Sequence, residues 1–246
     1  MNSNRIVVIT GAAGGIGSAL VERFLADGDK VVALDHSADA LESRAWNKEE
    51  SGRLLPLVAD ISDEGDCNRV AAAVRDRFGR VHVLVNCAGY FPTGRVETME
   101  LAEWRRVIDI NLTGPFLMVK AMLPLMKGLD RGRIINIGSA SFFSGPPGRA
   151  HYVAAKGGLI GFSRCLASEL GADRITVNVV APGLTVTEAV TRDTPEQLIR
   201  QVRESRPIQR DQEASDVVGA VAFLASPEAD FISGQVLSVD GGYSKH

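Results

Sequence analysis

The chain has 246 residues, of which 45% are hydrophobic and 23% charged, and its formal net charge is −3. That length suits one large α/β domain with a sizeable core; the charge argues against a nucleic-acid-binding surface, and no apolar run reads as long enough to span a bilayer. Three widely spaced cysteines (Cys67, Cys87, Cys165) argue against a disulfide framework and fit a reducing cytoplasm, and four histidines (His36, His82, His151, His246) without metal-ligand spacing imply no metal site.

Residues 1–5 are short and polar and lead straight into a strand-like run, so no signal peptide is expected. Apolar runs then recur at 5–10, 30–35, 54–59, 81–86, 133–138, 176–180 and 235–239. Several are near-continuous in Val, Ile and Leu, as strands buried on both faces are. Between them, 15–26, 64–78, 101–126, 152–170 and 214–224 carry helical spacing. The alternation predicts a doubly wound, Rossmann-type parallel sheet of about seven strands in an α/β/α sandwich, with ligands at the carboxyl ends of the strands. No linker or repeat divides the chain, so 1–246 reads as one domain. Residues 184–210 break the rhythm with Thr, Asp, Pro and many charges, and show no clear strand or helix. Leaving the carboxyl end of a strand, they read as a substrate lid, the alternative being a solvated surface excursion.

The first run ends in Thr10-Gly11-Ala12-Ala13-Gly14-Gly15-Ile16-Gly17, and a helix pattern follows at once. Glycines in such a turn let the backbone approach a pyrophosphate, and the helix N-terminus offers free N–H groups and a positive dipole end. Glycines alone would also suit a plain turn. Their place between strand and helix is what points to a dinucleotide, with Gly11, Gly15, Ile16 and Gly17 in the cradle. The second run ends at Asp35, 18 residues after Gly17. A carboxylate there accepts from both adenine-ribose hydroxyls and repels a 2′-phosphate, and no Lys or Arg stands in the turn or directly after Asp35. The cofactor expected is therefore NAD rather than NADP.

The fifth run leads into Ser139; Tyr152 follows 13 residues later, and then Lys156. On one helix, Tyr152 and Lys156 share a face at i,i+4 spacing. Interconverting an alcohol and a carbonyl requires a group that gives or takes a proton at the oxygen. A phenol, with its ordinary pKa of about 10, needs nearby positive charge to do so at neutral pH. Lys156 supplies that charge and reaches the nicotinamide ribose, while Ser139 donates to the substrate oxygen. A core tyrosine, a snorkelling lysine and a capping serine are the alternatives taken singly.

These pieces, together with Asp60-Ile61, NCAG at 86–89, Asn111 in DINLTG, YVAAK at 152–156, APG at 181–183 and SGQVLSVDGG near the end, closely resemble the short-chain dehydrogenase/reductase family over nearly the whole chain. The resemblance implies that Asp60 meets the adenine amino group with Ile61 alongside, and that Cys87, Ala88 and Gly89 border the adenine ribose. It also implies that Pro182, Gly183, Thr185 and Thr187 border the nicotinamide carboxamide and phosphate. Asn111 would complete the catalytic set by holding a bent helix and an ordered water that links Lys156 to solvent. Cys87 departs from the family pattern, which has a second asparagine there; it reads as a packed small side chain or a reactive thiol.

The pocket walls are expected from Phe91, Ser141, Phe142, Phe143 and Leu184, which suits an apolar or aromatic alcohol, ketone or aldehyde; plain packing is the alternative. Arg192, Arg200, Arg203 and Arg206 in the lid would either meet an acidic substrate or be solvated. The resemblance implies a homotetramer, and small residues at Ala155, Gly158 and Gly161 suit close helix pairing. No nucleic-acid or membrane partner is expected. A 3-oxoacyl-thioester reductase and a non-catalytic nucleotide sensor are the competing functions.

Overall fold

The computed structural model describes residues 4–44, 46 and 52–245, so the readings of the first three residues and of His246 lie outside the described residues. The seven apolar runs become β1 (Ile6–Thr10), β2 (Lys30–Asp35), β3 (Leu54–Val58), β4 (Val83–Asn86), β5 (Gly132–Ile137), β6 (Ile175–Pro182) and β7 (Val236–Val239). They pair in parallel in the order β3-β2-β1-β4-β5-β6-β7. The order reverses between β1 and β4, and their carboxyl ends frame the crevice where such sheets bind ligands.

The helices are α1 (Gly15–Ala26), α2 (Ala38–Glu42), α3 (Glu64–Phe78), α4 (Leu101–Ile108), α5 (Gly114–Met126), α6 (Ser141–Ser144), α7 (Ala150–Leu170), α8 (Glu188–Asp193), α9 (Glu196–Ser205) and α10 (Ala214–Leu224). Strand alternation divides the core in two. Val7 and Ile9 of β1 join Leu20, Val21 and Phe24 of α1 and Val217 and Val221 of α10 on one face. Ile6 and Val8 join Val70 and Val74 of α3, Met118 and Met122 of α5 and Leu166 of α7 on the other. Because both faces are covered, β1, β4, β5 and β6 are buried end to end.

Three expectations change. The segment 184–210 is not irregular: it contains α8 and α9. The helix pattern over 101–126 is broken by a π-turn at Asp109–Thr113. That same stretch, Leu101–Met126, is 26 residues long and apolar enough to cross a bilayer by length and composition. Here, however, 44% of its most apolar window is buried inside the protein, and Leu117, Met118, Met122 and Met126 belong to the core beneath the sheet.

Candidate active site

The turn after β1 is shaped by close backbone approach. A Cβ on Gly17 would stand 2.1 Å from the Gly11 carbonyl oxygen, and one on Gly11, which has φ +66°, would stand 2.6 Å from Ala88 Cα. A Cβ on Gly15 would meet Thr187 Cγ2 at 2.5 Å, so the first residue of α1 lies under the segment that leaves β6. Gly14 caps α1 without a side-chain bond, leaving the first-turn amides of Gly15, Ile16 and Gly17 uncapped by side chains. This bare, positive helix end in a cradle that only glycines allow fits a dinucleotide pyrophosphate.

Asp35 lies beside the turn: it accepts from Ala13 N at 3.0 Å and Ser37 N at 3.3 Å, and His36 Nδ1 is 3.0 Å away. A carboxylate offers about four acceptor directions, which leaves capacity for ribose hydroxyls. The sequence argument that no cation stands here does not hold in space. Past the end of α2, Arg44 returns to the turn, donates to the Ala13 carbonyl and lies 3.7 Å from Glu188 of α8. Nothing in its sequence position betrays this, because only the chain reversal through α2 brings it back.

Asp60 is exposed and accepts from both the amide and the hydroxyl of Ser62, at 2.9 and 2.6 Å. Ile61 is buried against Gly114, where a Cβ would be 2.7 Å from its Cδ1. After β4, Thr10 Oγ1 accepts from the amides of both Cys87 (3.0 Å) and Ala88 (3.1 Å), tying this loop to the glycine turn after β1. Burial pushes the Cys87 thiol up to about 12, which marks a packed thiol rather than a nucleophile. A Cβ on the following Gly89 would be 3.2 Å from Asn111 Oδ1. Across the crevice, Pro182 accepts from Ala140 N at 2.8 Å, and Gly183 N donates to Val239 O at 2.9 Å. Thr185 is buried, with its hydroxyl 3.3 Å from the Gly183 carbonyl, and Thr187 caps α8 through Val190 N.

Ser139, Tyr152 and Lys156 come together at the carboxyl end of β5. The Ser139 hydroxyl is among the groups that act on the Tyr152 phenol, holding its pKa down. Lys156 Nζ lies 5.6 Å from the Tyr152 ring centre and donates to Ile137 O at 2.8 Å. Burial raises the phenol above its ordinary range, opposed by Ser139 and by the charge of Arg149. Burial also lowers the Lys156 ammonium to about 8. Asn111 sits in the π-turn, where its Nδ2 donates to Val107 O (2.9 Å) and Tyr90 O (2.7 Å).

Of the expected pocket residues, Phe91 lies edge-on to Tyr152 with ring centres 6.4 Å apart. Phe142 is 38% exposed and packs on α7 at Gly157, where a Cβ would be 2.9 Å from its ring; Phe143 stacks edge-on against it at 5.1 Å. Ser141 N donates to Ser139 Oγ at 3.1 Å, and the Leu184 carbonyl accepts from Arg206 at 2.6 Å. The arginines of 184–210 divide. Arg192 pairs with Asp193 and Arg203 with Asp211, while Arg206 is buried as a structural clamp. Sequence reasoning missed Arg149, which borders Tyr152.

Residues 11–244 match the family described as enoyl-(acyl carrier protein) reductase. The 3-oxoacyl-[acyl-carrier-protein] reductase of Escherichia coli is 39% identical over 241 residues, covering 97% of this chain and 96% of that protein. The same-named enzyme of Synechocystis sp. is 37% identical over 243 residues, with the same coverage. The 2-(R)-hydroxypropyl-CoM dehydrogenase of Xanthobacter autotrophicus is 36% identical over 249 residues, 98% of this chain and 99% of that protein. Among solved structures, a short-chain dehydrogenase/reductase titled glucose/ribitol dehydrogenase from Brucella melitensis superposes with a TM-score of 0.94. It is 32% identical and covers 99% of this chain, which covers 98% of it.

Proposed function

The chain belongs to the short-chain dehydrogenase/reductase family, and from that premise we propose that it interconverts a small apolar or aromatic alcohol and its ketone or aldehyde, with NAD as cofactor. The observation that supports this best is the convergence of Ser139, Tyr152 and Lys156 at the end of β5. When bound, the nicotinamide exchanges a hydride with the carbinol carbon. Tyr152 Oη takes the hydroxyl proton in oxidation and returns it in reduction. Ser139 donates to the substrate oxygen and steadies its negative charge. Lys156, held by the Ile137 carbonyl, keeps positive charge beneath the phenol, and Asn111 fixes the π-turn beside it. Gly11, Gly15, Ile16 and Gly17 hold the pyrophosphate, and Asp35 the adenine ribose. Asp60, Ile61 and residues 87–89 line the adenosine side, with Pro182, Gly183, Thr185 and Thr187 on the nicotinamide side. Phe91, Ser141, Phe142, Phe143 and Leu184 border the substrate, and 184–210 close over it. The active form is a homotetramer of a single-domain chain; its free cysteines suit a reducing cytoplasm.

The names of the relatives favour a second reading, reduction of a 3-oxoacyl thioester. One assay separates them: NADH formation from a panel of secondary and aromatic alcohols, beside oxidation of NADH and NADPH by acetoacetyl-CoA. Turnover of alcohols with NAD supports the first reading; acetoacetyl-CoA reduction as the fastest reaction replaces it with the second. Tyr152→Phe is expected to lower turnover about 10²- to 10⁴-fold while NAD still binds. NAD binding without turnover of any substrate by the unmodified protein would favour a sensor.

A further inference from the structure

Arg149 is the residue before α7, with a backbone (φ −123°, ψ 18°) outside the helix. Its Nη1 donates to the Phe91 carbonyl and, at 3.3 Å, to the Pro92 carbonyl, and the guanidinium lies 6.0 Å from the Phe91 ring centre. The same two segments are joined again where Gly94 N donates to Gly148 O at 2.9 Å. Gly148 has φ +75°, and a Cβ there would stand 2.9 Å from Thr93 Cγ2, so only glycine suits this crossing. At its other end the segment is fixed by α4, where Tyr90 Oη bonds Glu103 at 3.2 Å and Arg106 lies 4.6 Å from the Tyr90 ring centre. Phe91, strapped between these points, presents its edge to Tyr152.

A partly buried guanidinium is costly unless its donors and charge are used. One nitrogen of the guanidinium, Nη1, meets two successive carbonyls, and the group lies near the Phe91 ring as well. Tyr152 stands one helical turn after Arg149 at the start of α7, and the guanidinium charge opposes the rise that burial gives the phenol. The other groups facing the phenol are Ser139 from the end of β5, Cys87 from the loop after β4 and Lys156 from α7. Lys156 loses its proton near pH 8, whereas a guanidinium stays charged well above that.

We propose that Arg149 is a positioning residue for proton transfer: from the start of α7 its guanidinium holds the 91–92 backbone so that Phe91 stays against Tyr152, and it places a fixed cation one helical turn before that phenol. The inference rests on the reading of Tyr152 as the proton-transfer group. It adds a contact that the position of Arg149 in the sequence does not disclose.

The test uses the tyrosinate absorbance of the NAD-saturated protein. The chain has three tyrosines, so subtracting the Tyr152→Phe titration isolates Tyr152. Arg149→Gln keeps a planar donor but removes the charge; Arg149→Lys keeps the charge. In R149Q, Tyr152 is expected to titrate about one pH unit higher, and turnover of the fastest alcohol to fall about tenfold at neutral pH and recover at alkaline pH. R149K returns the midpoint to its original value, and both variants keep the NAD dissociation constant. A wild-type midpoint in R149Q, or equal displacement in R149Q and R149K, overturns the proposal. The failure of the parent reading looks different: turnover would then survive in Y152F, whatever Arg149 does.

Discussion

Burial drives the two ionisable groups at the centre of the site in opposite directions: the Tyr152 phenol upward, the Lys156 ammonium down to about 8. The consequence for stability has a definite sign. Between about pH 8 and the ordinary lysine value of 10.5 the unfolded chain binds the proton that the folded chain has released. Stability from this group therefore rises with pH across that window, and below pH 8 the folded state bears the full cost of a buried charge, on the order of 3 kcal/mol. Lys156→Met is accordingly expected to melt higher than the unmodified protein at pH 7, an advantage that shrinks as pH rises through the window, while turnover is lost. Calorimetric melting from pH 7 to 10 checks this; an advantage that grows with pH would contradict it. None of this is legible in Tyr-x-x-x-Lys as a string. The spacing places both side chains on one face, but how deeply they are buried, and that Ile137 offers a carbonyl to Lys156, depend on α7 lying against β5. Arg44, Arg149 and Arg206 were opaque for the same reason: each acts on a segment tens of residues away.

At the scale of elements, legibility followed burial. The strands and α1, α3 and α10 could be read to within a few residues, because a face pressed on a core must be apolar at a fixed period. Helices α8 and α9 have no such obligation. No residue of α9 is buried: Leu198, Ile199 and Val202 share one face, but that face is only partly covered and is set among charged residues. Their remaining signals were local, Thr187 as the cap of α8 and Pro195 before α9. Periodicity alone did not disclose the π-turn, because the apolar residues resume on both sides of it; only the family resemblance implied a bend at Asn111, which stabilises it. Its amide meets Val107 O within the turn and Tyr90 O across the crevice. Asn111→Leu leaves both carbonyls without that donor and is expected to cost about 1–3 kcal/mol in urea unfolding. It should also loosen the Tyr90 segment, lowering turnover more than NAD affinity. Gly17→Ala acts on the other side of the crevice. With its Cβ 2.1 Å from the Gly11 oxygen, the turn must open, and the rise in melting temperature that NAD gives the unmodified protein should disappear.

At the scale of the whole molecule, the covered sheet leaves apolar surface on the outer side of α4 and α5. Val96, Leu101, Trp104 and Phe116 are exposed, and Phe116 stacks edge-on with Phe162 of α7 at 6.2 Å. Gly161 of the same α7 is exposed with open space beside it, whereas Gly158 packs on Leu112 within the chain. Light scattering is expected to give a particle of about four times the 26.3 kDa chain, and Phe116→Glu to reduce it to smaller species. An unchanged mass in that variant would move the interface elsewhere.

The bonds at Val239 also impose an order in time. Its carbonyl oxygen receives both Gly183 N and Gln212 Nε2, so the two ends of the excursion that holds α8 and α9 hang on β7. During synthesis, the glycine turn after β1 and the Ser139–Tyr152–Lys156 group leave the ribosome well before residue 239. A partly made chain thus carries these residues before 184–210 is anchored, and that anchoring waits for β7.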